Sequence, residues 1–526
     1  MFDLIVRGGL VVDGTGRPGV VADVGIRRGK IAAIGDLAEV AAPRELAATG
    51  LVVATGFVDV HSHSDYTLLV DPRAQSSVAQ GVTTELVGNC GHGCAPIGDA
   101  TAAASNIYGY EPSFPITWQT LGGYLDHLEQ ARPAVNVLTL VPNGMLRIAT
   151  SGLDDRPPTA DDRRQMARLL AEGLDEGAIG FSSGLEYPLE RACRPEDLTE
   201  LCRIVARRAG LYATHARNRD RYALAAIDEA IETARDSGVR LHIPHVTPRP
   251  GGPPDADLQA LERIDRALAA GVDVSIDMHT RLHGLTNLSV ALPAWAFAGG
   301  SARLRERLRD PATRTSLAGY ESVITSFALG GWERVSLLTS PHRPDLVGKS
   351  FAEIAELTGT TPFDAVLDVL LDEADAPHLP LCLGESYTEE QLGRAYAHPA
   401  GLVASDATAL AVDGILASHV FHGAFTWAAW FFRRFVRDEP IFTLEAAVRK
   451  LTAQPAERLG LADRGVLTVG SWADLAVFDP ETFGERGTLA APNQLARGMR
   501  HVLVNGIVEL ADGKFTADRG GRVLRR

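Results

Sequence analysis

Cysteine is scarce in this chain: five residues, an odd number, scattered through 526 positions. That excludes a disulfide framework as the source of its stability and points to reduced thiols. Low-complexity tracts and repeats of solenoid period are also missing, which removes the disordered and solenoid classes. Cations are in deficit, with 51 Lys and Arg against 66 Asp and Glu for a net charge of −15. So acidic a surface disfavours nucleic acid and anionic membranes as partners, since both are polyanions. The first residues, MFDLIVRGGLVVDG, lack a basic stretch followed by an apolar core, so no secretory signal is expected and the expected location is cytoplasmic. Long apolar runs are nearly absent. Gly414 to Phe432 lacks charged side chains, but it carries His419 and His422 and follows the last strand candidate, so it reads as a buried helix or pocket wall, not a membrane span.

What is present is ordinary for a globular enzyme: 45% hydrophobic and 22% charged residues, in a length that allows one large domain and a smaller one. Both ends are β-rich. FDLIVRGGLVVDG, VADVGIRRGKIAAIG and GLVVATG open the chain; GVLTVGSWADLAVFD and RHVLVNGIVEL return near its end. Neither end has enough strands for a sheet of its own. The economical reading is one composite β-sandwich domain from residues 1–55 plus 465–526. Between them, strands alternate with helical patterns, the order of parallel βαβ units. The candidates are GFVDVHSH, TTELVGNCG, VNVLTLVPNG, GAIGFSSG, GLYATHARN, VRLHIPHV, VDVSIDMHT and GLVASDA. Eight units predict an α/β fold, a TIM-like (β/α)8 barrel over residues 56–464. The gap before the last strand is too long for one crossover helix, so about residues 295–400 are expected to be a helical insertion.

Catalytic groups of such barrels sit at the C-terminal ends of the strands, and metal-ligand residue types cluster there. His61 and His63 end the first strand two residues apart, a spacing that puts both imidazoles on one face. Cys90, His215, His245 and Asp406 end the second, fifth, sixth and eighth. Pleat parity groups His245 with Leu241 and Ile243, and Asp406 with Leu402 and Ala404. Each residue has a plainer reading: a capped strand end, a satisfied histidine, a cysteine acting as a small buried hydrophobe. Together they favour metal binding. Imidazole with thiolate favours Zn²⁺ over Mg²⁺ or Ca²⁺, and the count permits two ions sharing the thiol. A separate zinc site at His92 and Cys94 is disfavoured, because no second ligand pair follows at structural-site spacing.

With these motifs the chain resembles the amidohydrolase superfamily, and within it the N-acyl-D-amino-acid deacylase (D-aminoacylase) family. GFVDVHSHSD, TTELVGNCG, GFSSGLEYPL, YATHARN, His245 and ASDA carry the resemblance, which extends over nearly the whole length. It implies that Cys90, His215 and His245 hold one tight zinc, and that His61, His63 and Asp406 hold or stand ready for a second, weaker ion. It implies hydrolysis of a linear amide, foremost deacylation of a small-molecule N-acyl-D-amino acid, by metal-activated water with Asp406 as general acid/base. Many related amidohydrolases bridge two metals with a carboxylated lysine. Here the only lysines are Lys30, Lys349, Lys450 and Lys514, none on a barrel strand. That favours a cysteine-bridged subtype and speaks against the alternative, a cyclic-amide hydrolase of the hydantoinase or dihydroorotase kind. A catalytically silent scaffold is the alternative from another class; it has no physical need for the retained ligands. Self-association into a homo-oligomer is left open.

The chain departs from the family pattern where substrate is held. A lysine two residues after the strand-six histidine is replaced by Thr247, and Tyr-Pro-Tyr after the strand-seven aspartate by Met278, His279 and Thr280. The His-Pro-Arg motif after the last aspartate gives way to GILASHVFHGAFTWAAWFF. Arg217, two residues after His215, is therefore the first expectation for a substrate carboxylate, with Arg281, Arg219 and His279 behind it.

Overall fold

The computed structural model describes residues 1–526. Its centre is one parallel sheet of eight strands: β1 Phe57–Asp59, β2 Val82–Val87, β3 Asn136–Pro142, β4 Gly180–Gly184, β5 Leu211–His215, β6 Arg240–Ile243, β7 Val274–His279 and β8 Gly401–Ala404. Neighbours in the sheet follow chain order from β1 to β8. All eight are the candidates read from the sequence. The sheet closes just past the ends of β1 and β8, where the His63 N–H donates to the Ala407 carbonyl and the Asp406 N–H to the His61 carbonyl, both at 2.8 Å. Asp59 fastens the same seam: its Oδ1 accepts the N–H groups of His61 and Ser405, each at 3.1 Å. Burial pushes the Asp59 carboxyl up to about 7.

The strands are buried on both faces, as strands wrapped by helices must be; β3, NVLTLVP, is buried at every position. The helix before β5, Pro195–Ala206, shows how the outer layer is specified. Proline opens it where no N–H is needed, Asp197 accepts the Arg194 N–H, and Leu198, Leu201, Cys202 and Val205 recur at helical spacing on the buried face.

The chain termini build one sheet of nine strands. Strands Leu475–Phe478, Met499–Val504, Ile507–Ala511 and Lys514–Phe515 join the N-terminal strands through Val52–Thr55, which pairs antiparallel with Leu475–Phe478. The sheet curls over its own core, where Val24, Ile26 and Leu46 from the start of the chain meet Leu475, Leu503 and Val508 from its end.

The long segment between β7 and β8 is not purely helical. It begins as a strand, His283–Asn287, which pairs with Leu381–Glu385, itself paired with Val335–Thr339. Helices such as Gly300–Arg309 and Pro362–Asp372 pack beside this sheet around a separate core that includes Leu304, Phe351, Val366 and Cys382. The strands pair across many tens of residues, which a local pattern does not reveal. Gly414 to Phe432 is a short 3-10 turn, a loop and a helix, Trp427–Phe432, whose Trp427, Phe431 and Phe432 are buried. No helix is long and apolar enough to cross a membrane.

Candidate metal centre

The C-terminal ends of the barrel strands bring most of the expected residues together. Cys90 Sγ lies 3.2 Å from His61 Nε2 and 3.5 Å from His245 Nε2. Asp406 Oδ1 lies 3.3 Å from both His61 Nε2 and His63 Nε2. Two donor groups result, His61–Cys90–His245 and His61–His63–Asp406, with ligand atoms of each within 4.8 Å of one another. His61 belongs to both. His215 falls outside them, although its ring lies 4.5 Å from that of His245. Its Nε2 is held by Glu186 Oε2 at 2.8 Å, which leaves Nδ1 buried and without a partner.

The backbone explains the aim of these side chains. Cys90, His245 and Asp406 all lie beyond the last paired residue of their strands, and all three have positive φ, at 53°, 38° and 44°. A non-glycine residue there is strained and persists only where its surroundings over-determine it. Sharp turns, not the pleat, direct these groups into the barrel mouth. Two glycines allow the Cys90 turn: Gly91 has φ of 73°, and a Cβ on Gly184 would sit 2.1 Å from the Cys90 carbonyl oxygen.

Arg217 shows the reverse outcome and corrects the expectation placed on it. β5 ends at His215, so strand parity does not extend to Arg217. Its guanidinium forks onto Glu229 at 2.8 Å and donates to the carbonyls of Arg191 and Cys193. It is a structural clamp, and it does not line the metal cavity. Arg281 is also committed: it donates to Asp406 Oδ2 at 2.7 Å and to the carbonyls of Ser405 and Asp406. It positions Asp406 and is not free for a ligand. Burial opposes ionisation of Asp406, but the Arg281 charge, then that of His61, holds its carboxyl well below the usual carboxylate range. His279 does line the cavity, with its Nδ1 buried and unpartnered and its ring 5.2 Å from Tyr387.

Several residues of the site escaped sequence reasoning. Asp277 is 1% exposed, accepts from His61 at 3.0 Å, His242 at 2.9 Å and the His245 N–H at 2.7 Å, and so ties three strands' groups together. A carboxylate in the middle of a strand buried at every position, VSIDMH, must be paired; that was the available signal. Because Asp277 only accepts, His61 Nδ1 donates to it, and in the neutral, metal-binding form of the ring that leaves the Nε2 lone pair facing Cys90 and Asp406. Glu186 does the same for His215 and also pairs with Arg249; burial pushes its carboxyl up, but the Arg249 charge, the His215 hydrogen bond and the charges of His215 and Arg219 together bring it below the usual range. Carboxylates fixing imidazole tautomers in this way are the usual outer support of a metal site. Cys94 belongs to the main core, its carbonyl accepting the Trp118 indole N–H, and it joins neither donor group.

The amidohydrolase family model matches residues 44–243 and 349–508. The chain belongs to the amidohydrolase family. It is 36% identical to an N-acyl-D-glutamate deacylase of Alcaligenes xylosoxydans xylosoxydans over all of this chain and 97% of that protein. A D-aminoacylase of the same organism is 32% identical over all of this chain and 98% of the other. Among solved structures, N-acyl-D-glutamate deacylase from Bordetella bronchiseptica, complexed with zinc and a phosphonate mimic of the tetrahedral intermediate, superposes with a TM-score of 0.82 at 30% identity, covering both chains completely. As in the sequence, no lysine of this amidohydrolase lies on a barrel strand; β4 reads GFSSG.

Proposed function

We propose that this amidohydrolase deacylates an N-acyl-D-amino acid, using zinc held at the barrel mouth. The observation that carries the reading is the convergence of Cys90, His61 and His245 on one point, with Asp406 beside them. The donor set fits the ion: a thiol and imidazole nitrogens, buried, with tautomers fixed by Asp277 and Glu186, and a spare Nδ1 on His215. Cys90 and His245, with His215 Nδ1 as a further donor, would hold the tighter zinc, and His63 and Asp406 a second ion; the single Nε2 lone pair of His61 would serve one of the two. The chemistry that bound zinc supplies is acidification of a water and polarisation of the amide carbonyl. Asp406, 15% exposed and so facing the cavity, takes the proton of the attacking water on its carboxylate and returns it to the leaving nitrogen. Catalytic function in this reading belongs to residues 56–464, and the terminal sheet of 1–55 and 465–526 is a separate domain.

Arg219 supports a substrate with a carboxylate. It is 7% exposed, lines the metal cavity, and its partners are the His245 carbonyl at 2.7 Å and the Tyr387 hydroxyl at 2.6 Å, both uncharged. No carboxylate hydrogen-bonds this guanidinium, although Glu186 is near enough to feel its charge, and a direct pairing with an anion is worth roughly 1.5–3 kcal/mol. Arg219 therefore takes the part that Arg217 was expected to play, with His279 beside it. Assays of the zinc enzyme on N-acyl D- and L-amino acids and on the matching neutral amides test the reading. Hydrolysis of the D-acids, abolished by chelator and restored by zinc, is expected; no hydrolysis of any N-acyl amino acid contradicts it.

A further inference from the structure

A second cavity, of about 550 Å³, lies between the loop after β2 and the insertion. Its walls include Ile116 and Leu153 from the barrel side, Leu189 after β4, and Val290, Leu292 and Phe297 from the insertion. It meets the metal cavity at Tyr187, which lines both and whose ring lies 4.8 Å from that of His215. His92 stands at the same junction, its ring 4.6 Å from Tyr187. His92 is 8% exposed and its Nε2 has no hydrogen-bond partner, so a polar group of a ligand entering there finds an unused nitrogen. The metal cavity itself is small, about 20 Å³, and its far side is walled by Arg219, Arg249 and His279.

The two sides of the mouth therefore differ in chemistry. Buried cations crowd the side of β5 to β7, and an apolar cleft opens on the side of β2 and β4. A scissile amide at the metal carries two substituents, and the carboxylate-bearing one belongs with the arginines. We propose that the large cavity is the acyl-chain subsite and selects acyl groups much longer than acetyl, of the medium-chain fatty acyl class. The proposal rests on the reading of the enzyme as an N-acyl-amino-acid hydrolase. The cavity is within the size range, roughly 300–1,000 Å³, that buries a drug-sized ligand, and acetyl would leave it empty.

The test is kcat/KM for acetyl, butyryl, hexanoyl and octanoyl derivatives of one D-amino acid, in the wild type and in Val290→Trp and Ala104→Trp, which fill the cavity from opposite walls. In the wild type kcat/KM rises roughly three- to fourfold per methylene buried. Each tryptophan variant loses most of the gain on octanoyl, at least about tenfold, while acetyl turnover, which also reports correct folding, stays near wild type. The proposal is overturned if acetyl is turned over as well as octanoyl, if the tryptophans lower both alike, or if the variants respond to amino-acid side-chain size and not to acyl length. No turnover of any N-acyl amino acid by the wild type would instead remove the reading of function beneath it.

Discussion

Replacing Asp277 with asparagine tests how the metal centre is built. The Asp277 carboxylate accepts three hydrogen bonds, from His61 Nδ1, His242 Nε2 and the His245 backbone. Asparagine offers one oxygen and an NH₂ in the same space. The oxygen keeps the His245 N–H, so the NH₂ faces two ring nitrogens that until then were donors. To accept from it, His61 must move its proton to Nε2, the nitrogen that faces Cys90 and Asp406. A protonated nitrogen cannot bind a metal. Loss of such a supporting carboxylate costs about 10–100-fold in metal affinity or activity, or roughly 1.4–2.7 kcal/mol. Chelator competition on the purified Asp277→Asn variant measures the affinity, and far-ultraviolet circular dichroism checks the fold. Wild-type zinc affinity in a folded Asp277→Asn variant would refute the tautomer argument.

Further outcomes follow from other groups. Arg281→Met removes the cation that holds the Asp406 carboxyl low, so that carboxyl titrates at higher pH and the acid limb of kcat/KM moves up; an unmoved limb with lowered kcat would contradict this. Gly184→Ala drives a Cβ into the Cys90 carbonyl, so zinc occupancy and activity fall together; metal analysis reads the first and turnover the second. Burial pushes the Glu190 carboxyl up to about 7 from 4.5, despite hydrogen bonds from Asn143 and the Gly184 N–H. Its folded-state proton therefore contributes stability that is complete below pH 4.5 and is lost as pH rises through 7, at most roughly 3 kcal/mol. Glu190→Gln flattens that loss, which urea unfolding at pH 5 and pH 8 detects; an unchanged pH dependence counts against it.

The barrel was legible because most strands are short apolar runs followed by a polar residue, and the eight candidates recur in order. His61, His63, Cys90, His245 and Asp406 were legible for a related reason: metal-ligand types at strand ends are few in a chain with five cysteines and 15 histidines. Parity was the weaker argument. It grouped His245 and Asp406 with the inner faces of their strands, yet both lie past the last paired residue in left-handed turns, and the same argument misplaced Arg217. Supporting carboxylates were illegible for another reason. Asp277 and Glu186 act through partners 216 and 29 residues away; a carboxylate within a strand says that a partner exists, but nothing local says which. The sheet within the insertion was missed on the same ground, since His283–Asn287 finds its partner only at Leu381–Glu385.

X-ray absorption at the zinc edge tests the central claim most directly. The account predicts a mixed shell, with one sulfur at about 2.3 Å and nitrogen or oxygen ligands at about 2.0–2.2 Å, the sulfur vanishing in Cys90→Ser. A wild-type shell of nitrogen and oxygen alone, or sulfur that survives the Cys90 substitution, would contradict it.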